Sequence, residues 1–183
     1  PGAVHAKAHL WRISEIFSNA DGTVQFIEMH ECCGSTEEHF LASTFITSDA
    51  NSYMFANHLE FTESTAFRWV LLGTADFAAL PGAPTPDYII PDNFFDPTSD
   101  TLTYVGGNDV ANFALLPPGS LPTDGLNSLH RDVNTGVMTA GVNSPINFDG
   151  VSGSVSPPMA VPGPAPWLVA PILAAAAGWV GLR

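Results

Sequence analysis

Sixteen glycines and sixteen prolines are spread without period through a chain of 183 residues. Proline interrupts helices and central strands, and glycine favours turns, so such a chain folds as short segments joined by tight corners. The absence of a three-residue glycine repeat excludes collagen and leaves a turn-rich β protein. Between residues 10 and 150, short runs rich in Phe, Val, Ile, Tyr and Thr recur about every ten residues, the spacing of a sandwich. The predicted strands are Leu10–Phe17, Val24–His30, Phe40–Thr47, Ser52–Phe55, Ala66–Leu72, Tyr88–Ile90, Thr101–Val105, Asn112–Leu115 and Leu126–His130. Ser18–Gly22 supplies Asx and Gly turn chemistry to the first hairpin. In its second strand Val24 and Phe26 are expected on one face, with Ile27 and Met29 off it or at a bulge. Asp76–Leu80 reads as a helical turn stopped by Pro81, and residues 81–86 and 116–125 as proline-rich loops.

Charge divides the chain. Only 13% of residues are charged, and 12 Phe, 4 Trp and 3 Tyr exclude intrinsic disorder. A formal net charge of −13 excludes a general nucleic-acid binder, which needs a basic face against phosphate. All 18 acids lie at or before Asp149, and the 33 residues between Asp149 and Arg183 carry no ionisable side chain. Residues 151–166 read as a Pro/Gly/Ser-rich linker, extended and stiff where Pro157, Pro158, Pro162, Pro164 and Pro166 fall. From Pro166 a helix can run to Leu182, about 25 Å long against a hydrocarbon core of about 30 Å. Residues 167–183 are therefore expected to form one transmembrane helix, kinked at Pro171. Trp167 and Trp179 suit the membrane interface, and Arg183 suits a positive-inside stop. Ala170, Ala174 and Gly178 recur every four residues and offer a small-residue stripe for packing against another membrane helix.

Val161-Pro162-Gly163-Pro164-Ala165-Pro166-Trp167-Leu168, followed by the apolar stretch and a terminal arginine, resembles the C-terminal sorting signals called PEP-CTERM. That family implies an exported protein, one membrane helix and cleavage near the proline motif. The usual Glu between the prolines is absent and only one arginine follows, so a retained anchor is expected. Ala3-Val4-His5-Ala6 resembles the end of a secretory signal peptide, cut before Pro1 or after Ala6, and residues 1–9 are assigned to an N-terminal extension.

Ile13-Ser14-Glu15-Ile16-Phe17-Ser18-Asn19-Ala20-Asp21-Gly22, then Gln25-Phe26-Ile27-Glu28-Met29, resembles the opening hairpin of a lamin tail domain. Gly125-Leu126-Asn127-Ser128-Leu129-His130-Arg131 and Ser144-Pro145-Ile146-Asn147-Phe148 are similar to that family's closing strand and "S-P-x-N" exit. The resemblance covers about 140 residues. It implies an immunoglobulin-like β-sandwich over residues 10–150 that acts as an interaction or structural module without activity of its own. Glu15 and Glu28 are expected in facing strands, with Arg131 pairing to one of them as a structural ion pair. The alternative is two carboxylates serving a glycosidase as acid and base, but no sugar-binding aromatics accompany them.

Two other clusters could carry chemistry. His30, Cys32, Cys33 and His39 offer a tetrahedral zinc or copper set. Adjacent cysteines lie below the usual disulfide spacing and diverge in an extended chain, so an inert loop, an inter-chain disulfide and a metal site all stay open, the inert loop foremost. Asp92, Asp96 and Asp100 could offer oxygens to calcium, though they lack the glycine and closing glutamate of an EF-hand. Phe94 and Phe95 beside them are expected to anchor the loop in the core or to form a contact patch. There is no HExxH, GxSxG, P-loop, dinucleotide-binding or CxxCH signature. No catalytic residue, metal or cofactor is assigned. The expectation is an exported, non-catalytic accessory or scaffold subunit of a membrane assembly, for example a photosynthetic or respiratory complex. Its partners would be integral-membrane proteins and the lipid bilayer. The alternatives are a cell-surface or matrix protein sorted and cleaved at its tail, and a metal-dependent extracytoplasmic enzyme.

Overall fold

The computed structural model describes residues 7–156. The linker beyond that point and the expected helix, with Trp167, Ala170, Ala174, Gly178, Trp179 and Arg183, lie outside the described residues. Within them no helix is long and apolar enough to cross a membrane.

The fold is a β-sandwich. One sheet has six strands in the order β10-β9-β1-β2-β5-β6. These are Met138–Val142, Asn127–Arg131, Trp11–Ser18, Gln25–Glu31, Trp69–Gly73 and Tyr88–Ile89. The other has four in the order β4-β3-β7-β8: Ser52–Met54, Phe45–Thr47, Thr101–Tyr104 and Asp109–Asn112. Neighbours run antiparallel, except that β6 runs parallel to β5. A single helical turn, α1 (Ala75–Ala78), is capped by Thr74, whose hydroxyl accepts from the Phe77 N–H.

The main core lies between the sheets. Trp11, Ile13, Ile16, Ile27, Met29, Val70 and Leu72 from the larger sheet meet Ile46, Leu102, Tyr104 and Ala111 from the smaller. A second apolar cluster of Phe17, Val24, Phe26, Leu71, Phe77 and Val155 covers part of the larger sheet's other face. β2 and β5 are therefore buried on both sides, which suits the apolar run of β5 and leaves the Gln25, Glu28 and Glu31 side chains of β2 buried as well. Val24 and Phe26 share one cluster and Ile27 and Met29 the other, as alternation requires.

The bulge falls in β1 rather than β2: the register slips between Ile13 and Glu15, leaving Ser14 extra. This slip lets Ile13 and Ile16, an odd number of residues apart, both face the main core. It also leaves the Ile13 backbone without a strand partner on the β9 side, where pairing covers only Glu15 and Ile16. Asp109 accepts the Ile13 N–H at 2.8 Å, and Arg131 Nη1 donates to the Ile13 carbonyl at 3.0 Å and to Asp109 Oδ2 at 3.0 Å. Arg131 thus joins β9 to β8 of the opposite sheet across the bulge. It does not pair with Glu15 or Glu28. Arg131 sits two residues from core-facing Leu129, whereas Ser128 bonds Glu15 on the sheet's other face.

Other boundaries differ for local reasons. Residues 40–44 turn instead of extending, because the Leu41 carbonyl accepts both the N–H and the hydroxyl of Thr44. The strand expected at Asn112–Leu115 starts earlier, at Asp109, because Val105–Gly107 form a tight 3-10 turn. The unexpected β10 follows a turn in which Asp132 accepts the N–H groups of Asn134 and Thr135. The folded unit also exceeds 10–150: Ala8 is buried within the main core, and Val155 within the second cluster.

Removing one partner of a buried ion pair strands the other, at a cost of about 3–5 kcal/mol. Arg131→Ala is expected to destabilise the fold by roughly that amount. In double-mutant cycles read by denaturant unfolding, it should couple strongly to Asp109→Ala and negligibly to Glu28→Ala. Coupling to Glu28 instead would overturn the arrangement of the two faces.

Candidate functional site: a carboxylate clamp on the chain exit

After β10 the chain turns back over the outer face of the larger sheet. Its extended stretch, residues 143–148, is held there by three carboxylates from neighbouring elements. Glu15 on β1 accepts the Ser144 N–H at 2.9 Å. Glu28, its cross-strand partner on β2, accepts the Ile146 N–H at 2.8 Å. Asp87, just before β6, accepts the Phe148 N–H at 3.0 Å and the Leu71 N–H of β5 at 2.8 Å. In extended backbone, successive N–H groups alternate in direction, so residues 144, 146 and 148 all present theirs to the sheet. Pro145 occupies an alternate position, where no N–H is needed. The Asn147 side chain donates to the Thr85 carbonyl at 3.0 Å and accepts the Val151 N–H at 2.9 Å. Ser-Pro-Ile-Asn is thus a physical unit: two bonded N–H groups, one position that tolerates proline, and one amide that ties the return.

The return is equally fixed. Ile146 bridges to Ser152, and the Gly153 N–H donates to the Pro145 carbonyl at 3.0 Å. A side chain at Gly153 would strike the Gly82 carbonyl, so only glycine lets the return lie against the 82–84 loop. The Asn143 side chain accepts the Val155 N–H at 2.7 Å and donates to the Val155 carbonyl at 2.8 Å. Arg68 donates to the Phe148 carbonyl at 2.9 Å and lies over its ring. The chain is therefore bolted to the sheet as far as Val155, two residues before the proline-rich segment begins.

The clamp's charges are unusual. Burial pushes Glu28 up from 4.5 to about 8; the Ser14 hydroxyl opposes this, the Glu15 charge adds to it, and the Ile146 N–H again opposes it. Burial likewise raises Asp87 from 3.8 to about 6, against the Leu71 and Phe148 N–H groups. Glu15 is surrounded by donors, the Ser144 N–H, the Ser128 hydroxyl at 2.6 Å and the Ser144 hydroxyl at 3.2 Å, with the His130 ring beside it. Glu15 and Glu28 are thus adjacent, as expected, but their oxygens are occupied with backbone and hydroxyl groups. Asp87 escaped sequence reasoning; its signal was an acid directly preceding the apolar run Tyr88-Ile89-Ile90.

The remaining candidate clusters serve local structure. Cys32 and Cys33 are bonded to each other in a disulfide, neither unpaired nor inter-chain. The chain there turns rather than extends, with the Glu31 carboxylate accepting the N–H groups of Cys33, Gly34 and Phe67. His30 packs against Trp69 and His39 bonds the Glu63 carbonyl, so the four expected ligands do not converge. Among the described residues the one close group of three possible ligands is Glu31, Cys32 and Cys33. In the acidic loop, Asp100 accepts the N–H groups of Asp49, Asp96 and Thr101, and Phe94 and Phe95 are buried in the core.

No protein-family model, no curated protein and no solved structure matches this chain.

A carboxyl whose pKa is raised by folding stabilises the fold fully below its unfolded value and loses that contribution as pH rises through its folded value. For Glu28 the window runs from 4.5 to about 8, and for Asp87 from 3.8 to about 6. Stability should therefore fall between pH 5 and pH 8, with each group contributing at most about 1.4 kcal/mol per pH unit. Glu28→Gln, which keeps an acceptor without a charge, should flatten this slope in denaturant titrations at the two pH values. An unchanged slope would show that Glu28 is not the titrating group.

Proposed function

We propose that this protein is an exported, membrane-anchored scaffold or accessory subunit, non-catalytic, whose immunoglobulin-like domain of lamin-tail type is held at a fixed attitude to its anchor. The observation that carries this reading is the clamp. A domain that merely hung from a flexible tether would gain nothing from fixing its last residues, yet here chain order costs about 1–2 kcal/mol per residue and is imposed up to Val155. In the sequence a proline-rich segment follows from Pro157 onward, a composition suited to a stiff spacer. Clamp, stiff segment and apolar helix together would pass position and force from the membrane to the sandwich.

The non-catalytic part of the proposal draws on how the buried acids are used. Glu15, Glu28, Glu31, Glu38, Asp100 and Asp109 all accept backbone N–H groups. Groups spent on holding the chain are not free to exchange protons with a substrate.

In this reading the tail helix docks through Ala170, Ala174 and Gly178, because helices in lipid associate by close backbone approach. Partners should co-purify with the full-length protein from detergent-solubilised membranes. Gly178→Leu should release them while leaving the protein in the membrane fraction, and Ala176→Leu, on the opposite side, should be much milder. Equal effects of both substitutions, or native protein ending near Pro166 by mass spectrometry, would replace this reading with that of a cleaved surface protein.

A further inference from the structure

The outermost strand of the larger sheet, β10, lacks the devices that keep edge strands from pairing with other chains. It has no lysine, no proline, no bulge and no inward charge. It also lies within residues 133–148, which contain no charged side chain although the chain as a whole carries −13. Its pairing with β9 uses alternate residues: the Val137 carbonyl accepts from Asp132, and the Asn143 N–H donates to Leu126. By the antiparallel rule, Val137, Thr139, Gly141 and Asn143 face β9. The backbone groups of Met138, Ala140 and Val142 therefore point away from the sheet. Among the described residues only the Val142 carbonyl has a partner there, His130 Nε2 at 3.0 Å, and it keeps a second lone pair.

The side chains fit the same picture. Met138 packs on the edge of the main core, but Val142 on the same face is 68% exposed. Asp109 of β8 bonds β1 at the Ile13 N–H and β9 at Arg131, so among the β10 side chains it is Met138, opposite Arg131, that packs against the main core.

We infer that β10 is a docking edge for a second copy of this chain, joined antiparallel about a two-fold axis through Ala140. In that register Ala140 faces its own copy, Met138 faces Val142 of the copy, and Thr139 faces Gly141. Apolar residues meet apolar ones on the core side, small ones meet on the outer side, and no like charges are opposed. An unrelated strand would have to match this spacing by chance, whereas the self-pairing match is built into the strand. An isologous contact of this kind closes at two subunits and does not propagate.

The test uses the full-length protein in detergent. Paired residues exchanging both backbone bonds have Cα atoms about 5.5 Å apart, within disulfide range. Ala140→Cys should therefore cross-link to a dimer under mild oxidation, at least about fivefold more than Thr62→Cys on an exposed loop. Light scattering should show a dimer that Ala140→Lys converts to monomer with an unchanged circular dichroism spectrum. Gly178→Leu should leave this dimer intact. Cross-linking no better than at Thr62, a dimer that survives Ala140→Lys, or one lost instead in Gly178→Leu would each overturn the inference.

Discussion

Everything downstream of β10 depends on three carboxylates accepting three backbone N–H groups. Glu15, Glu28 and Asp87 form a row across the larger sheet, and residues 144, 146 and 148 lie along it. Each bond gives a backbone N–H of the exit segment an acceptor on the sheet, and where such a donor is buried, as at Phe148, leaving it unpaired costs about 1–3 kcal/mol. With the row intact, Phe148 reaches the main core and Val155 reaches the second cluster. The clamp thus holds the chain's exit where its apolar residues can be buried.

The clamp and the Arg131 staple divide the work between the sheet's two faces. On the inner face Arg131 and Asp109 close the bulge in β1 and tie the sheets together. On the outer face the carboxylates tie the exit to β1, β2 and β5. β1 takes part in both, through Ile13 on one side and Glu15 on the other. This places the longest strand between the two sets of ties, with the smaller sheet on one side and the chain's exit on the other.

Much of this was legible in the sequence because it followed from alternation and turn chemistry. The opening hairpin, the β5 run and the Thr101 strand each announce themselves through aromatic and β-branched residues. β10 did not, because Ala140 and Gly141 have little strand propensity and the strand forms only after the Asp132 turn supplies its register. The pair of Glu15 and Glu28 was visible, but its partner was not. One extra residue at Ser14 decides which face Glu15 occupies, and no local preference marks that bulge. Adjacent cysteines diverge on an extended chain, but here the Glu31 carboxylate turns the backbone around Cys32 and Cys33.

The central claim is that the chain exit belongs to the folded sheet and is not part of a linker. Amide hydrogen exchange at Ser144, Ile146 and Phe148 of the native protein tests it most directly, because exchange requires breaking the three bonds in question. The account predicts protection comparable to that of β1 and β2, lost only with global unfolding, and extending to Val155. Exchange of these amides at the rate of an exposed loop, while β1 and β2 remain protected, would contradict it.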